Sequence, residues 1–178
     1  MSVIGLIAGL MMAASVGASA GGAMEAEIQQ WQTANGAKVL FVARHELPIV
    51  DVRIAFDAGS ARDGSTAGLA RLTNNLLLDG TEALDAGEIA RQFERYGARV
   101  STNSGRDTGE VSVRALSEPA RLDPVITNLA DALANASFPA DAVSRVRRQM
   151  RLGLEQAQSS PSDLAERAFA KAIYGDHP

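Results

Sequence analysis

The alternation of apolar and polar residues predicts strands first. Ile49 to Asp57 sets Val50, Val52, Ile54 and Phe56 against Asp51, Arg53 and Ala55. That period of two fits a strand with one buried and one polar face. Upstream, Ile28 to Thr33 and Lys38 to Arg44 form two shorter strand patterns, with Asn35-Gly36 between them. Asn and Gly both tolerate positive φ, so the pair predicts a hairpin turn. His45 to Pro48 breaks the ladder. Ala98 to Asn103 and Glu110 to Leu116 read as a second pair of strands, turning through Ser104 to Gly109.

Between and after these runs the period becomes helical. From Thr66 to Leu78, Leu69, Leu72, Leu76 and Leu77 recur on one face. Thr66 is the expected N-cap and Gly80 the residue just beyond the C-terminus. On another face Arg71 and Asn75 are four apart and therefore neighbours. Asp85 to Tyr96 is a second helix, with Asp85 and Glu88 spaced as a capping box and Ile89, Phe93 and Tyr96 on its apolar side. Pro119 to Ala136 is a third, with Leu122, Val125, Ile126, Leu129 and Leu133 facing inward. Ala140 to Gln158 and Asp163 to Tyr174 follow, separated by Ser159-Ser160-Pro161-Ser162. The order hairpin, strand, two helices, two strands, three helices is an α+β layout, an antiparallel or mixed sheet with helices packed on one face.

Composition narrows the chemistry. The chain has 178 residues, enough for one domain with a core, and 46% of them are hydrophobic against 4% aromatic. A net charge of -4 argues against a nucleic-acid footprint, which needs a basic face. The locally basic run Arg145 to Arg151 is better read as a solvated helix face than as a phosphate site. There is no cysteine, hence no disulfide, thiolate metal site or thiol nucleophile. No G-x-S-x-G elbow, P-loop or dinucleotide fingerprint is present. His45 and His177 stand alone, without metal-ligand spacing.

Val3 to Val16 is almost wholly apolar and is followed by Ala18-Ser19-Ala20, an A-x-A cleavage pattern. The run is shorter than the roughly 20 residues a membrane span requires. Residues 1–20 are therefore expected to be an export signal, residues 21–30 a flexible lead-in, and residues 31–178 the folded domain. No Lys or Arg precedes the apolar run, which leaves the start of the chain open. The expected location is the periplasm of a Gram-negative cell, with an uncleaved membrane anchor as the alternative.

The stretch Gly59 to Thr81 resembles the zinc-ligand helix of the insulinase-type (M16, pitrilysin-like) metallopeptidases. Gly59-Ser60, Gly68-Leu69-Ala70, Leu76-Leu77 and Gly80-Thr81 fall in register with that family's pattern. Further on, Ala98, Ser101, Asn103 and Thr108 echo it in part, as do Phe138-Pro139 and the tail Tyr174 to Pro178. The inverted zinc motif His-x-x-Glu-His does not match. This chain has Arg71-Leu72-Thr73-Asn74-Asn75 there. The third family ligand, a glutamate further along, corresponds by counting to Leu152, between Arg151 and Gly153; Glu155 lies about a helical turn beyond.

The resemblance implies the N-terminal half of an insulinase-type domain, and a chain that looks truncated at its C-terminus. It implies no bound zinc in this chain, because Arg71 would bring a fixed positive charge to the metal position and amides are poor zinc ligands. It implies a non-catalytic subunit, not active on its own. The expected partner is a catalytic subunit that holds the zinc, and the two enclose an unfolded peptide substrate. Arg71, Asn74 and Asn75 are then expected to face the peptide. The alternative is an interaction or assembly protein that reuses the fold without taking part in proteolysis.

Overall fold

A computed structural model describes residues 27–175. The expected export signal and His177 lie outside the described residues. The chain divides into two units, Met1–Glu46 and Leu47–Pro178.

In the first unit β1 (Ile28–Gln32) pairs antiparallel with β2 (Lys38–Val42), with Trp31 opposite Val39 and Gln32 opposite Lys38. Gly36 has φ +89°, the conformation the turn requires and a β-carbon disfavours. The Thr33 hydroxyl closes the loop by accepting from the Ala37 N–H at 3.0 Å. The expected hairpin is thus present.

The second unit is built on a three-stranded antiparallel sheet in the order β3-β5-β4: β3 (Ile49–Phe56), β4 (Arg99–Ser104) and β5 (Gly109–Leu116). The central strand β5 alternates strictly. Val111, Val113 and Ala115 are buried on one face, while Ser112 and Arg114 point the other way. The buried face packs on α2 (Ala86–Arg95) and α3 (Pro119–Ala134) through Ile89, Phe93, Val125 and Leu129. Burying side chains of this size gives about 1.5–3 kcal/mol each, so this cluster is the main stabilising term. The capping box of α2 forms as its spacing predicts. Asp85 accepts from the Glu88 N–H at 2.8 Å, and Glu88 accepts from the Asp85 N–H at 2.9 Å.

A smaller cluster joins α1 (Leu69–Leu76) to α4 (Ala140–Ser159) through Leu76, Ala142 and Val146, with Leu72, Val143 and Met150 around them. Arg145 on α4 donates to Asp79, just past α1, at 2.9 Å. The last helix is α5 (Pro161–Tyr174), capped by the Ser160 hydroxyl. The layout is α+β, with the helices on one face of the sheet.

Several boundaries and faces differ from the sequence expectation. The first helix is shorter than Thr66 to Leu78. Its N-cap is Gly68 at φ +89°, without a side-chain cap bond at that residue, and Thr66 contributes its backbone carbonyl, which accepts from the Leu69 N–H at 3.1 Å, rather than acting as the N-cap. Asp63 takes over, accepting from the N–H groups of Gly68 and Ala70 at 2.7 Å each. Its carboxylate sits where helix-terminal N–H groups have no partner within the helix. Leu69 is exposed, because the contact with α4 is made by Leu72 and Leu76. On α3, Ile126 is exposed and Ala132 is buried in its place. In β3, Phe56 is exposed at the strand's end.

The segment after α1 is tied down by backbone. Gly80 accepts from the Ser137 N–H at 3.0 Å, and a β-carbon at Gly80 would meet Pro139 Cγ at 2.9 Å. Thr81 is buried and its hydroxyl accepts from the Leu84 N–H at 3.0 Å. Gly80 is therefore a close-approach residue rather than a helix terminator.

Candidate functional site

The five residues at the zinc-motif positions all lie on α1, but they do not share a side. At about 100° per residue, Arg71 and Asn75 fall together and are both exposed. Leu72 faces α4. Thr73 is exposed. Asn74 points to the sheet and is 4% exposed. Of the three residues expected to face a peptide, Arg71 and Asn75 are exposed, whereas Asn74 is packed inside against the sheet.

Asn74 lies over the start of β5. Its Nδ2 reaches the Glu110 carbonyl at 3.5 Å, the outer limit of a hydrogen bond. Its Oδ1 is buried with no partner among the described residues. Gly109 makes this position possible, because a β-carbon there would come within 3.1 Å of Asn74 Nδ2. A neutral amide fits this setting better than a carboxylate, which would be buried beside a carbonyl oxygen.

Arg71 lines an open depression of about 520 Å³ together with Ser60, Asp63, Gly68, Ser104 and Arg106. The walls come from the start of α1, the turn after β3 and the end of β4. The turn is held tightly: Gly59, Ser60 and Ala61 donate to the carbonyls of Asp107, Gly105 and Arg106 at 3.1, 3.1 and 2.9 Å. A β-carbon at Gly59 would stand 2.2 Å from the Arg106 carbonyl oxygen. Arg62 reinforces the loop by donating from Nε to Asp57 at 3.0 Å and from Nη2 to the second carboxylate oxygen. That carboxylate raises the Arg62 pKa above its usual value.

Leu152 is not brought to this place. It is 54% exposed on α4, and two residues of helix put it about 200° from Met150. Met150, by contrast, faces the start of α1: a β-carbon at the N-cap Gly68 would stand 3.5 Å from its Cε. Among the described residues no three His, Cys, Asp or Glu side chains converge as a metal site. The residues at the family's metal positions do not fit zinc. A guanidinium and an exposed amide stand on the α1 face, and the counted third position is an alkyl chain on the far side of α4.

The sequence reading missed the outward face of the sheet. Asp51, Arg53, Arg99, Ser101, Ser112 and Arg114 line an open depression of about 440 Å³. Arg114 donates to Asp51 through Nε at 2.6 Å and Nη2 at 2.9 Å. This pairing holds the Asp51 carboxyl below its usual pKa and raises that of Arg114. The signal was present as one arginine on the polar side of each of the three strands, but it needs the strand register to become a surface.

The fold and the altered helix together define an insulinase-type domain without the family's catalytic motif. The sequence model for insulinase (peptidase family M16) matches residues 38–178, and the chain belongs to that family. The chain is 27% identical over 158 residues to a protein described as a non-peptidase homolog, YmxG, of Helicobacter pylori (strain ATCC 700392 / 26695). That match covers 87% of this chain and 36% of the relative. Among solved structures, an inactive M16 peptidase domain from Pseudomonas fluorescens superposes with a TM-score of 0.82 at 40% identity, over 85% of this chain and 37% of that one. A protease from Helicobacter pylori shares the fold, with a TM-score of 0.66 at 19% identity over 78% of this chain and 33% of that one. The chain thus spans a little over a third of the length of the relatives first named.

Proposed function

We propose that this protein is a non-catalytic insulinase-type subunit that pairs with a zinc-bearing catalytic subunit and helps hold an unfolded peptide for cleavage. One observation carries the reading. The fold around α1 is intact, while the positions of the two family histidines hold Arg71, an exposed guanidinium lining an open depression, and Asn75, an exposed amide one turn along the same face.

The end of β4 reaches the same depression through Ser104, and β4 has β5 as its one strand neighbour among the described residues. An exposed strand edge offers unpaired N–H and C=O groups to an extended peptide. A peptide laid along β4 would end at Arg71, where its polar backbone or a carboxylate meets the guanidinium. The non-peptidase character of the Helicobacter relative and the inactive Pseudomonas domain agree with this role. Export to the periplasm belongs to the same proposal and rests on residues 3–20. Among the described residues no helix is long and apolar enough to cross a membrane.

The test is to co-express the full-length product with an insulinase-type protein that keeps His-x-x-Glu-His, purify the pair, and measure peptide cleavage. A stable complex whose cleavage rate falls when this subunit is removed supports the proposal. A partner that cleaves equally well alone would leave the assembly role as the better account.

A further inference from the structure

The outward face of the three-stranded sheet carries its charges in rows set by the register. Asp51 of β3 stands opposite Arg114 of β5, and Arg114 stands opposite Arg99 of β4. The row therefore reads minus, plus, plus, and ends on the edge strand. Asp51 is fully engaged by the two bonds from Arg114. Arg53, on the neighbouring outward row, approaches Glu110 diagonally on the row beyond it at 3.9 Å. Arg99 forms no ion pair among the described residues, and it faces a like charge directly across the ladder, an arrangement that is unfavourable in a sheet. The next outward residues on β4, Ser101 and Asn103, are neutral, and the inward ones, Val100, Thr102 and Ser104, turn toward the helices.

We infer that a peptide strand added alongside β4 is selected for an acidic residue opposite Arg99, the juxtaposition of Arg99 with Arg114 on the open edge supplying the preference. This inference rests on the peptide-binding role proposed above and specifies its substrate class: extended segments with one carboxylate on the outward side and uncharged residues at the other outward positions. The carboxylate completes the row as minus, plus, plus, minus, so Arg99 gains the opposite charge that Arg114 already has in Asp51. Directly opposed cross-strand residues bring their β-carbons to about 4.5–5.5 Å, within reach of an Arg–carboxylate bond. A peptide with lysine at that place would extend a row of like charges. The alternation of strand side chains restricts the effect to a single register position, because the residues on either side of it face inward.

The experiment uses the full-length protein and a set of dye-labelled ten-residue peptides of alternating Val and Gln, in which one Gln at a time is replaced by Glu or by Lys. Affinities are read by fluorescence anisotropy at low and at physiological salt. The expected profile has one position at which Glu binds about threefold tighter than Gln, and Lys weaker than Gln by a similar factor. The Arg99→Glu variant, an exposed change whose fold is checked by circular dichroism, inverts the order of the Glu and Lys peptides at that position, each compared with the all-Gln peptide on the same variant. If the all-Gln peptide binds but the Glu and Lys profiles are flat, or identical in the variant, the acidic preference is wrong while the binding role survives. If no peptide binds, the binding role itself is wrong and this inference goes with it.

Discussion

The side chain of Asn74 rests on Gly109: a β-carbon built at that glycine stands 3.1 Å from Asn74 Nδ2. This contact locks α1 to the first residue of the central strand. It also explains why this motif position behaves differently from its neighbours. Gly109→Ala is expected to cost about 1–3 kcal/mol by overpacking. Asn74→Ala should relieve part of that cost, so the double variant is more stable than the sum of the singles implies. Urea unfolding of the four proteins in the cycle measures the coupling, and strict additivity would refute the contact.

Gly59 is held more severely. Its added β-carbon would meet backbone atoms of Arg106 and Asp107 at 2.2–2.4 Å, and a backbone cannot swing aside as a side-chain tip can. Gly59→Ala is expected to cost about 3 kcal/mol or more. Gly153 is the control. It lies in α4 with nothing near its missing β-carbon, so Gly153→Ala is expected to stabilise by about 0.5–1 kcal/mol. Thermal unfolding should move in opposite directions for the two substitutions.

The Asp51–Arg114 pair gives a pH signature. Because Arg114 holds the Asp51 pKa down, the folded protein binds this proton less readily than the unfolded chain. The stabilisation is complete above the ordinary carboxylate range and disappears as pH falls through the lowered native value. Asp51→Asn should therefore be less stable than the parent at neutral pH and indistinguishable from it in strong acid. Both residues are exposed, so the difference should also shrink with added salt. Denaturant midpoints across a pH series provide the measurement.

Restoring the family's imidazoles separates surface positions from packed ones. Arg71→His with Asn75→His places two imidazoles four apart on the exposed side of α1. This double variant is expected to keep parental stability and to gain zinc binding by calorimetry. Adding Asn74→Glu buries a carboxylate beside the Glu110 carbonyl, an acceptor that the Asn74 amide reaches and a carboxylate cannot bond, at an expected cost of about 2 kcal/mol or more. Peptidase activity should not appear in either variant, because Leu152 supplies no third ligand and lies on the wrong side of α4.

Element type was legible for the five strands and the five α-helices of the described residues, because it follows from local periodicity, whereas the short 3-10 helix Ser60–Arg62 lies in the stretch read as a loop. The apolar alternation around β3 and β5, the Asn35-Gly36 turn and the Asp85–Glu88 capping box each form as their spacing predicts. Element ends were less legible. The start of α1 is decided by Asp63, which reaches over several residues to take the Gly68 and Ala70 N–H groups. A local capping rule applied at Thr66 cannot see that bond. The family frame has a physical explanation in the same contacts. Gly59 and Gly80 sit where a β-carbon would collide, Gly68 needs positive φ, and Leu76 and Thr81 are buried. Arg71 and Asn75 are exposed, so the fold does not constrain them in the same way.

The sequence by itself determined the α+β order, the insulinase-type frame and the replacement of every zinc-motif side chain, since these are properties of residue identity and local spacing. Only the tertiary structure decided that Asn74 turns inward while Arg71 and Asn75 remain outside, that Leu152 points away from α1, and that Asp51, Arg114 and Arg99 form one charged row. Those facts depend on helix phase and strand register, which are fixed by packing between segments far apart in the chain.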